Sequence, residues 1–341
     1  MDTIHGFWAG AVAVASRVDT DALAAKVGGW AALARVTVHD LCSLGVDPAL
    51  ARAWLTSPPL TTRGVALTRC CDDYPLALRR APGAPPVVFV EGSVEAFRAG
   101  AVAVVGTRGC TPYGASAAYQ VAAAAARHGV VVVSGLARGI DTHAHRAAVR
   151  TGGRTIAVLG HGLAHTAPPA NRGLREEIVA HGGAVLTTWP DGVEPAKWTF
   201  PARNRWIAAL SRRVVVVEAP DHSGALITAE RLVDLGRQDD LWVVPGPLGA
   251  PTWIGSHRLI VLGAAPLVDL DAFVRDLGGR PDGPSYPDWL SALFAGADLD
   301  QVAEVRGGSA VDALRELAAL ELEGVVVKLP GGRYAAGGGL P

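Results

Sequence analysis

Short, nearly unbroken apolar runs recur through the middle of this chain, at residues 87–91, 101–105, 130–134, 155–159, 184–188, 214–218 and 241–244. Runs of about five Val, Ile and Ala residues without polar alternation are strands buried on both faces. Residues 112–128, 140–150, 171–180 and 226–235 lie between them and read as helices. Strand and helix in alternation give a parallel sheet with helices on both sides. The sequence therefore predicts an α/β fold: an extended, Rossmann-like, doubly wound and mostly parallel sheet. Helix 112–128 is largely alanine, which permits close packing on that sheet.

The flanks differ. Residues 1–80 read as short helices separated by turns at Gly28-Gly29 and at Gly45 to Pro48. That pattern resembles a SAM-like or helix-hairpin-helix-like domain, and fits a small helical bundle without a ligand as well. Residues 277–287 are a Gly/Pro-rich linker. Beyond it, 298–305 and 309–322 read as helices, the second capped by Ser309. Two short strands then flank Pro330-Gly331-Gly332, a hairpin. Helix, helix and a two-stranded wing is the winged-helix pattern. The expected division is a helical domain at 1–80, a Rossmann-like domain at 81–276, a linker at 277–287 and a winged helix at 288–341.

Composition narrows the functional classes. Half the residues are hydrophobic, so the chain has material for a real core. The formal net charge of −1 excludes a polybasic protein that coats DNA by bulk electrostatics. Divided along the chain, the balance is uneven. Residues 86–280 hold 19 basic and 16 acidic side chains, and residues 281–341 hold 4 and 9. The four cysteines form no CxxC pair, which fits neither a disulfide framework nor a zinc site. The N-terminus lacks a basic region before its apolar stretch, and no apolar run reaches the roughly 18–20 residues that span a bilayer. A cytoplasmic protein with no membrane association is expected.

Ligands of open α/β sheets bind beyond the carboxyl ends of the strands, at helix N-termini. After 101–105 stand Gly106, Thr107 and Arg108, in a turn that supplies a close backbone approach, hydroxyls and a guanidinium suited to phosphate. After 130–134 comes a second such loop, with Ser134, Gly135, Arg138 and Gly139. Side by side, the two would form an anion pocket of N–H groups, hydroxyls and guanidinium; the glycines serve tight packing equally well. A third stretch, 195–205, interleaves Lys197, Arg203 and Arg205 with Trp198 and Phe200, and includes Asn204. Cations for phosphates beside rings for bases suit a single nucleic-acid strand. Loops at 218–229 and 244–247 lie at the same sheet edge. Asp141, His143 and His145 make no metal site, because residues two apart on a helix point about 200° apart. Neither a G-x-S-x-G elbow nor an HExxH motif occurs.

VAVVGTRGCTPYG, VVVSGLARGIDTHAH, TIAVLGHGL, FPARNRWIAALS, VVVVEAPDHSGALITA, LGRQDDLWVVPG and GSHRLIVLGA follow one another here in the order found in the DNA-processing protein A (DprA/Smf) family, preceded by CDDYPLALRRAPGAPPVVFVEGS. The chain resembles that family densely over about residues 73–265. The resemblance implies a homodimeric protein that binds single-stranded DNA and loads the RecA recombinase on it, in natural transformation and recombination, with no cofactor and no enzymatic step. It points to Arg108, Ser134, Gly135 and Gly139 for phosphate contact. From the KWTFPARNR stretch it points to Lys197, Phe200, Arg203, Asn204 and Arg205, with Phe200 as the base-stacking ring. Gly106, Thr107 and Arg138 complete the expected DNA-binding set.

The chain departs from the family pattern at Ala164, at Ala167-Pro168, at Thr187-Thr188-Trp189-Pro190 and at His257, all flanking the expected pocket. The candidate recognition helix of the winged domain carries one Arg and four acids. Such a surface repels phosphate, so the domain reads as a protein-interaction or regulatory module. Three rival readings remain. A phosphoribohydrolase-like nucleotide-processing enzyme would need a PGGxGTxxE loop, where this chain has Val244-Pro-Gly-Pro-Leu-Gly. A sequence-specific regulator would bind duplex DNA through the winged helix. A dinucleotide-binding Rossmann protein would need an acid for the ribose.

Overall fold

Six of the seven apolar runs lie in the parallel part of a nine-stranded sheet, and the first, 87–91, pairs antiparallel beside them. The structure, a computed structural model, describes residues 2–4, 6–277, 297–306, 308–322, 326–328 and 331–336. At the N-terminus, β1 (Asp2–Ile4) and β2 (Leu60–Thr62) pair antiparallel. Between them run α1 (Gly6–Val14), α2 (Thr20–Lys26), α3 (Trp30–Leu33), α4 (Val38–Ser43) and α5 (Pro48–Leu55). Asp19, the reciprocal Thr37–Asp40 pair and Asp47 cap α2, α4 and α5. Leu33, Leu41 and Trp54 are fully buried among these helices.

The central unit then follows as β3 (Val65–Thr68), α6 (Leu76–Arg79), β4 (Val87–Gly92), β5 (Ala101–Val105), α7 (Pro112–Arg127), β6 (Val131–Ser134) and α8 (Ile140–Arg150). It continues with β7 (Thr155–Leu159), α9 (Arg172–Ala180), β8 (Ala184–Thr187), α10 (Thr199–Leu210), β9 (Arg213–Val216), α11 (Gly224–Asp234), β10 (Leu241–Val243), α12 (Ile254–Val261), β11 (Ala265–Pro266) and α13 (Leu270–Asp276). The strand order is β11-β10-β9-β5-β6-β7-β8-β4-β3. Every pair from β11 to β8 is parallel, and β4 and β3 close one edge antiparallel.

Val102, Val104, Val132 and Val215 face one apolar layer with the alanines of α7 and α8. Ala103, Val133, Val214 and Val216 face the other, with Ile207 of α10 and Leu232 of α11. Burial on both faces is what removes polar alternation from these strands. The outermost strand was hidden for the converse reason: in β3 only Leu67 is buried. Three strands, β1, β2 and β3, therefore stand inside the span read as purely helical, and with β3 the main sheet begins before residue 81.

Further on, α14 (Leu299–Arg306) and α15 (Ala310–Leu322) precede an antiparallel pair, β12 (Val326–Lys328) and β13 (Tyr334–Ala336). Val302, Ala313, Leu317 and Tyr334 form their common core. Apart from Leu277, the expected linker lies outside the described residues, as do residues 288–296 and Pro330.

The chain order sets the site. From β5 the chain steps through β6, β7 and β8 in one direction, then crosses back to place β9 on the other side of β5. The loops after β5 and β9 therefore diverge, and a crevice opens at the carboxyl ends of these two strands.

Candidate functional site

A cleft of about 500 Å³ occupies that crevice. Gly106, Thr107 and Arg108 after β5 form one wall, and Lys197, Phe200, Arg203 and Asn204 the floor. His222, Ser223 and Thr228 line the opposite side, at the start of α11. The sequence reading noticed the 218–229 loop and did not place its residues in the site. Its position at a strand end before a helix was the available signal.

The first glycine loop is folded around an internal carboxylate. Glu218 is completely buried, and its Oε2 accepts hydrogen bonds from the Thr111 N–H at 2.9 Å and the Thr111 hydroxyl at 3.0 Å. Thr111 is the N-cap of α7, so Glu218 sits where that helix attracts an anion. A Cβ on Gly114 would lie 1.9 Å from Glu218 Oε2; only glycine lets the carboxylate come so close. The Thr107 N–H donates to the Glu218 carbonyl at 2.7 Å, which ties the turn to the opposite loop.

The second loop is closed in the same manner. Asp141 Oδ2 accepts from the Gly135 N–H at 3.1 Å and the Ala137 N–H at 3.3 Å. His145 Nε2 accepts from the Leu136 N–H at 3.3 Å. Burial raises the Asp141 carboxyl above its ordinary value, against an opposing pull from Arg203. Burial pushes the His145 imidazole down to about 3, with Arg203 adding to the effect. The ring is neutral, and Thr155 decides its tautomer. The Thr155 hydroxyl donates to the Val132 carbonyl at 2.6 Å, so Nδ1, 2.7 Å away, must carry the proton. The expected anion pocket of loop N–H groups is thus corrected: the Gly135, Leu136 and Ala137 donors are turned inward onto the chain's own side chains. Gly139, at φ 73°, packs so that a Cβ would lie 2.3 Å from the Thr107 carbonyl oxygen. It presses the second loop against the first.

α10 sorts the third stretch by helical spacing. Phe200, Arg203 and Asn204 lie three and four residues apart, share the cleft face and line the cleft. Arg203 is buried, donates to the Gly135 carbonyl at 2.8 Å and to the Val158 carbonyl, and its guanidinium is lowered to about 10 by burial. A Cβ on Gly135 would lie 2.5 Å from that guanidinium, so this glycine makes room for Arg203. Arg205 faces elsewhere, donates to the Pro82 carbonyl and lies 5.2 Å from the Trp206 ring. Ser134 is fully buried and donates to the Val104 carbonyl at 2.7 Å.

Five residues given to phosphate contact therefore hold the cleft together or lie off it: Ser134, Gly135, Gly139, Arg203 and Arg205. Arg138 is exposed and does not line the cleft. Asn204 lines it while donating to the Gly224 carbonyl at 3.1 Å.

Two exposed cations remain at the cleft, Arg108 and Lys197. Arg175, Arg213 and Arg258 are paired with carboxylates; among the described residues Arg108 and Lys197 are paired with none. The Arg108 guanidinium carbon lies 5.3 Å from the centre of the half-buried Phe200 ring. The site thus offers two cations beside one aromatic ring. Among the described residues no cluster of three or more His, Cys, Asp or Glu side chains could hold a metal ion, and no helix is long and apolar enough to cross a membrane.

Comparison with known proteins agrees with this architecture. Residues 66–278 match the family described as DNA recombination-mediator protein A. Protein Smf of Escherichia coli is 35% identical over 278 residues, 76% of this chain and 74% of its own length. DNA processing protein DprA of Streptococcus pneumoniae is 42% identical over 193 residues, 57% of this chain and 67% of its own. The X-ray structure of that pneumococcal protein superposes with a TM-score of 0.70 at 32% identity, covering 80% of this chain and 98% of that one. DNA processing protein A of Helicobacter pylori, whose structure was solved to explain its single-stranded DNA binding mode, gives a TM-score of 0.55 at 27% identity over 63% of this chain and 96% of its own. The chain belongs to the DNA recombination-mediator protein A family, the DprA/Smf proteins.

Proposed function

We propose that the chain binds single-stranded DNA in the cleft between β5 and β9. Arg108 and Lys197 take backbone phosphates, and Phe200 stacks a base. Gly106, Thr107 and Asn204 shape the contact surface, and Arg203 ties the second glycine loop to β7 beneath it. The observation that carries this reading is the group formed by the exposed Arg108 and Lys197 with the half-buried Phe200, over loops whose Thr107, Thr111, Gly135, Leu136 and Ala137 N–H groups already bond within the chain. Such a site favours a flexible polyanion with bases over a small phosphate compound.

Glu218 also weighs against dinucleotide binding, because it fills the helix N-terminus that would hold a pyrophosphate. The 245–249 loop is braced by Tyr113 on the Pro245 carbonyl and by His257 on the Gly246 carbonyl, and it presents no acid for phosphoribohydrolase chemistry. The reading is accordingly a non-enzymatic one. Within this proposal the protein works as a homodimer and passes the bound strand to RecA in transformation and recombination. The acidic 281–341 segment, read as a winged helix, serves a protein partner.

Fluorescence anisotropy with labelled oligo-dT tests the cleft. Binding should weaken with salt, with a slope of about −0.7 per phosphate neutralised on a single strand. Arg108→Ala and Lys197→Ala should each lower both affinity and slope. Binding indifferent to salt and to both substitutions would remove the site. Co-elution of the protein with RecA on single-stranded DNA tests the mediator role.

A further inference from the structure

Trp198 follows the cleft-lining Lys197 in the chain and packs against Trp189, and the contact proposed above uses neither indole. Trp198 is 63% exposed and lies between the exposed Lys197 and the fully buried Thr199. The turn that carries it is closed on itself. The Thr199 hydroxyl and N–H donate to the Ala196 carbonyl at 2.8 and 3.1 Å, and the Ala196 N–H donates to the Thr199 hydroxyl at 3.3 Å. An indole on so fixed a turn loses little freedom on binding.

Trp198 is braced from beside. Its ring meets Trp189 edge to face, with centroids 5.2 Å apart and planes at 86°. The backbone of Trp189 is anchored in turn: its main-chain N–H donates to the Thr187 hydroxyl at 3.1 Å, and that hydroxyl donates to the His161 carbonyl at 2.8 Å. The following turn is pinned by Gly162 N–H to the Val193 carbonyl at 2.9 Å, and by the Asp191 carboxylate, which accepts from the Arg63 N–H at 2.8 Å. Trp189 stands at one of the positions where this sequence departs from its family pattern.

We propose that Trp198 is a second base-stacking platform. A single strand leaving Phe200 passes Lys197, which takes the intervening phosphate, and lays its next accessible base on the Trp198 face. The proposal rests on the single-strand reading of the cleft and extends its length. The occupant is a nucleobase rather than a protein side chain, because the exposed indole directly follows Lys197, a cation that lines the same cleft as Arg108 and Phe200 and has no carboxylate partner among the described residues.

The test measures oligo-dT affinity against length, from roughly 4 to 16 nucleotides, with the full chain. Trp198→Leu keeps apolar bulk against Trp189 and removes the stacking face; Trp198→Gln repeats the loss with a solvated side chain. The longest strands should bind about 5- to 150-fold more weakly to both variants, the span expected for one lost base stack. The shortest strands should bind as they do to the parent chain, and Trp198→Phe should restore most of the loss. With 2-aminopurine placed at successive positions, one position should lose its quenching in Trp198→Leu alone. Unchanged long-strand affinity overturns the proposal, as does an equal loss at every length. A change in oligomeric mass on Trp198→Leu also overturns it, since the indole would then face a protein. If the parent chain fails to bind oligo-dT, or if Phe200→Ala binds as well as the parent, the cleft reading itself has failed.

Discussion

Arg108 and Arg203 look alike in the sequence, as arginines of basic loops at strand ends, yet the structure gives them opposite fates when removed. Arg203→Ala takes a buried cation from the Gly135 and Val158 carbonyls and from the neighbourhood of the buried Asp141. Each orphaned buried acceptor costs about 1–3 kcal/mol, and an uncompensated buried charge adds to that. A loss of about 3–5 kcal/mol is expected, or about 6–20 °C in melting temperature for a unit of this size. Arg108→Ala removes an exposed side chain that sits over the Phe200 ring, an interaction worth about 0.5–1 kcal/mol at an exposed site. Its melting temperature should shift by no more than about 4 °C. Its affinity for oligo-dT should fall, and the salt slope should lose about 0.7. Thermal melting and anisotropy on the same two samples decide the matter. An Arg203→Ala variant that melts like the parent chain while losing oligonucleotide refutes the assignment of Arg203 to positioning. An Arg108→Ala variant with parental affinity refutes the assignment of Arg108 to phosphate.

The titrations under the second loop have opposite signs. His145 is held down at about 3 from 6.5, so its contribution is present above pH 6.5 and is lost as the pH falls toward 3, up to about 5 kcal/mol in all. His145→Gln should flatten that part of the stability–pH curve, and an unchanged acid limb counts against a buried neutral imidazole. The Asp141 carboxyl is raised, so its contribution is present below its ordinary 3.8 and is lost as the pH rises through the folded value. Asp141→Asn, which keeps one acceptor oxygen for both loop N–H groups, should remove that decline; persistence of the decline would assign it elsewhere. Gly139→Ala places a methyl group 2.3 Å from the Thr107 carbonyl at φ 73°. It should cost at least about 1–3 kcal/mol and weaken oligonucleotide binding through the displaced Arg108 turn, and normal melting would show that the two loops are not in register through it. Glu218→Ala should empty the N-terminus of α7. Inorganic phosphate should then raise the melting temperature of the variant and not that of the parent, and an equal response from both would show that Glu218 does not occupy an anion site.

What the sequence revealed depended on how local each signal was. β5 and β7 run over 101–105 and 155–159 as expected, because a strand buried on both faces writes its burial into consecutive residues. α8 likewise spans 140–150 as read. The edge strand β3 was missed because edge strands bury little. The glycine loops were found from their place after the strands, but their direction was not legible. Whether an N–H faces a ligand or the interior depends on an acid elsewhere, and Glu218 lies 107 residues after the Thr111 donor it takes. The difference between Arg203 and Arg205 was within reach. Residues two apart on a helix point about 200° apart, so only one of them shares the face of Phe200. Seeing this required reading 199–210 as one helix, which the Lys-Trp-Thr-Phe-Pro stretch disguises as a loop.

The inward turn of both loops bears on how a chain of net charge −1 can hold a polyanion. In a Rossmann crevice that binds dinucleotides, backbone N–H groups and a helix N-terminus are the anion receptors. Here Glu218 and Asp141 fill those places with the chain's own carboxyl groups, at full burial for one and near it for the other. A small phosphate ligand would have to displace a carboxylate already hydrogen-bonded at two points. What remains for an external anion is Arg108 and Lys197, long side chains that neutralise a phosphate without fixing its orientation. Phe200 supplies a face that any base can stack on. Affinity in such a site scales with salt and with strand length, and sequence preference stays low. Those are the properties that the proposed single-strand binding calls for, and they arise from two cations and a ring above loops whose Thr107, Thr111, Gly135, Leu136 and Ala137 N–H groups bond within the chain.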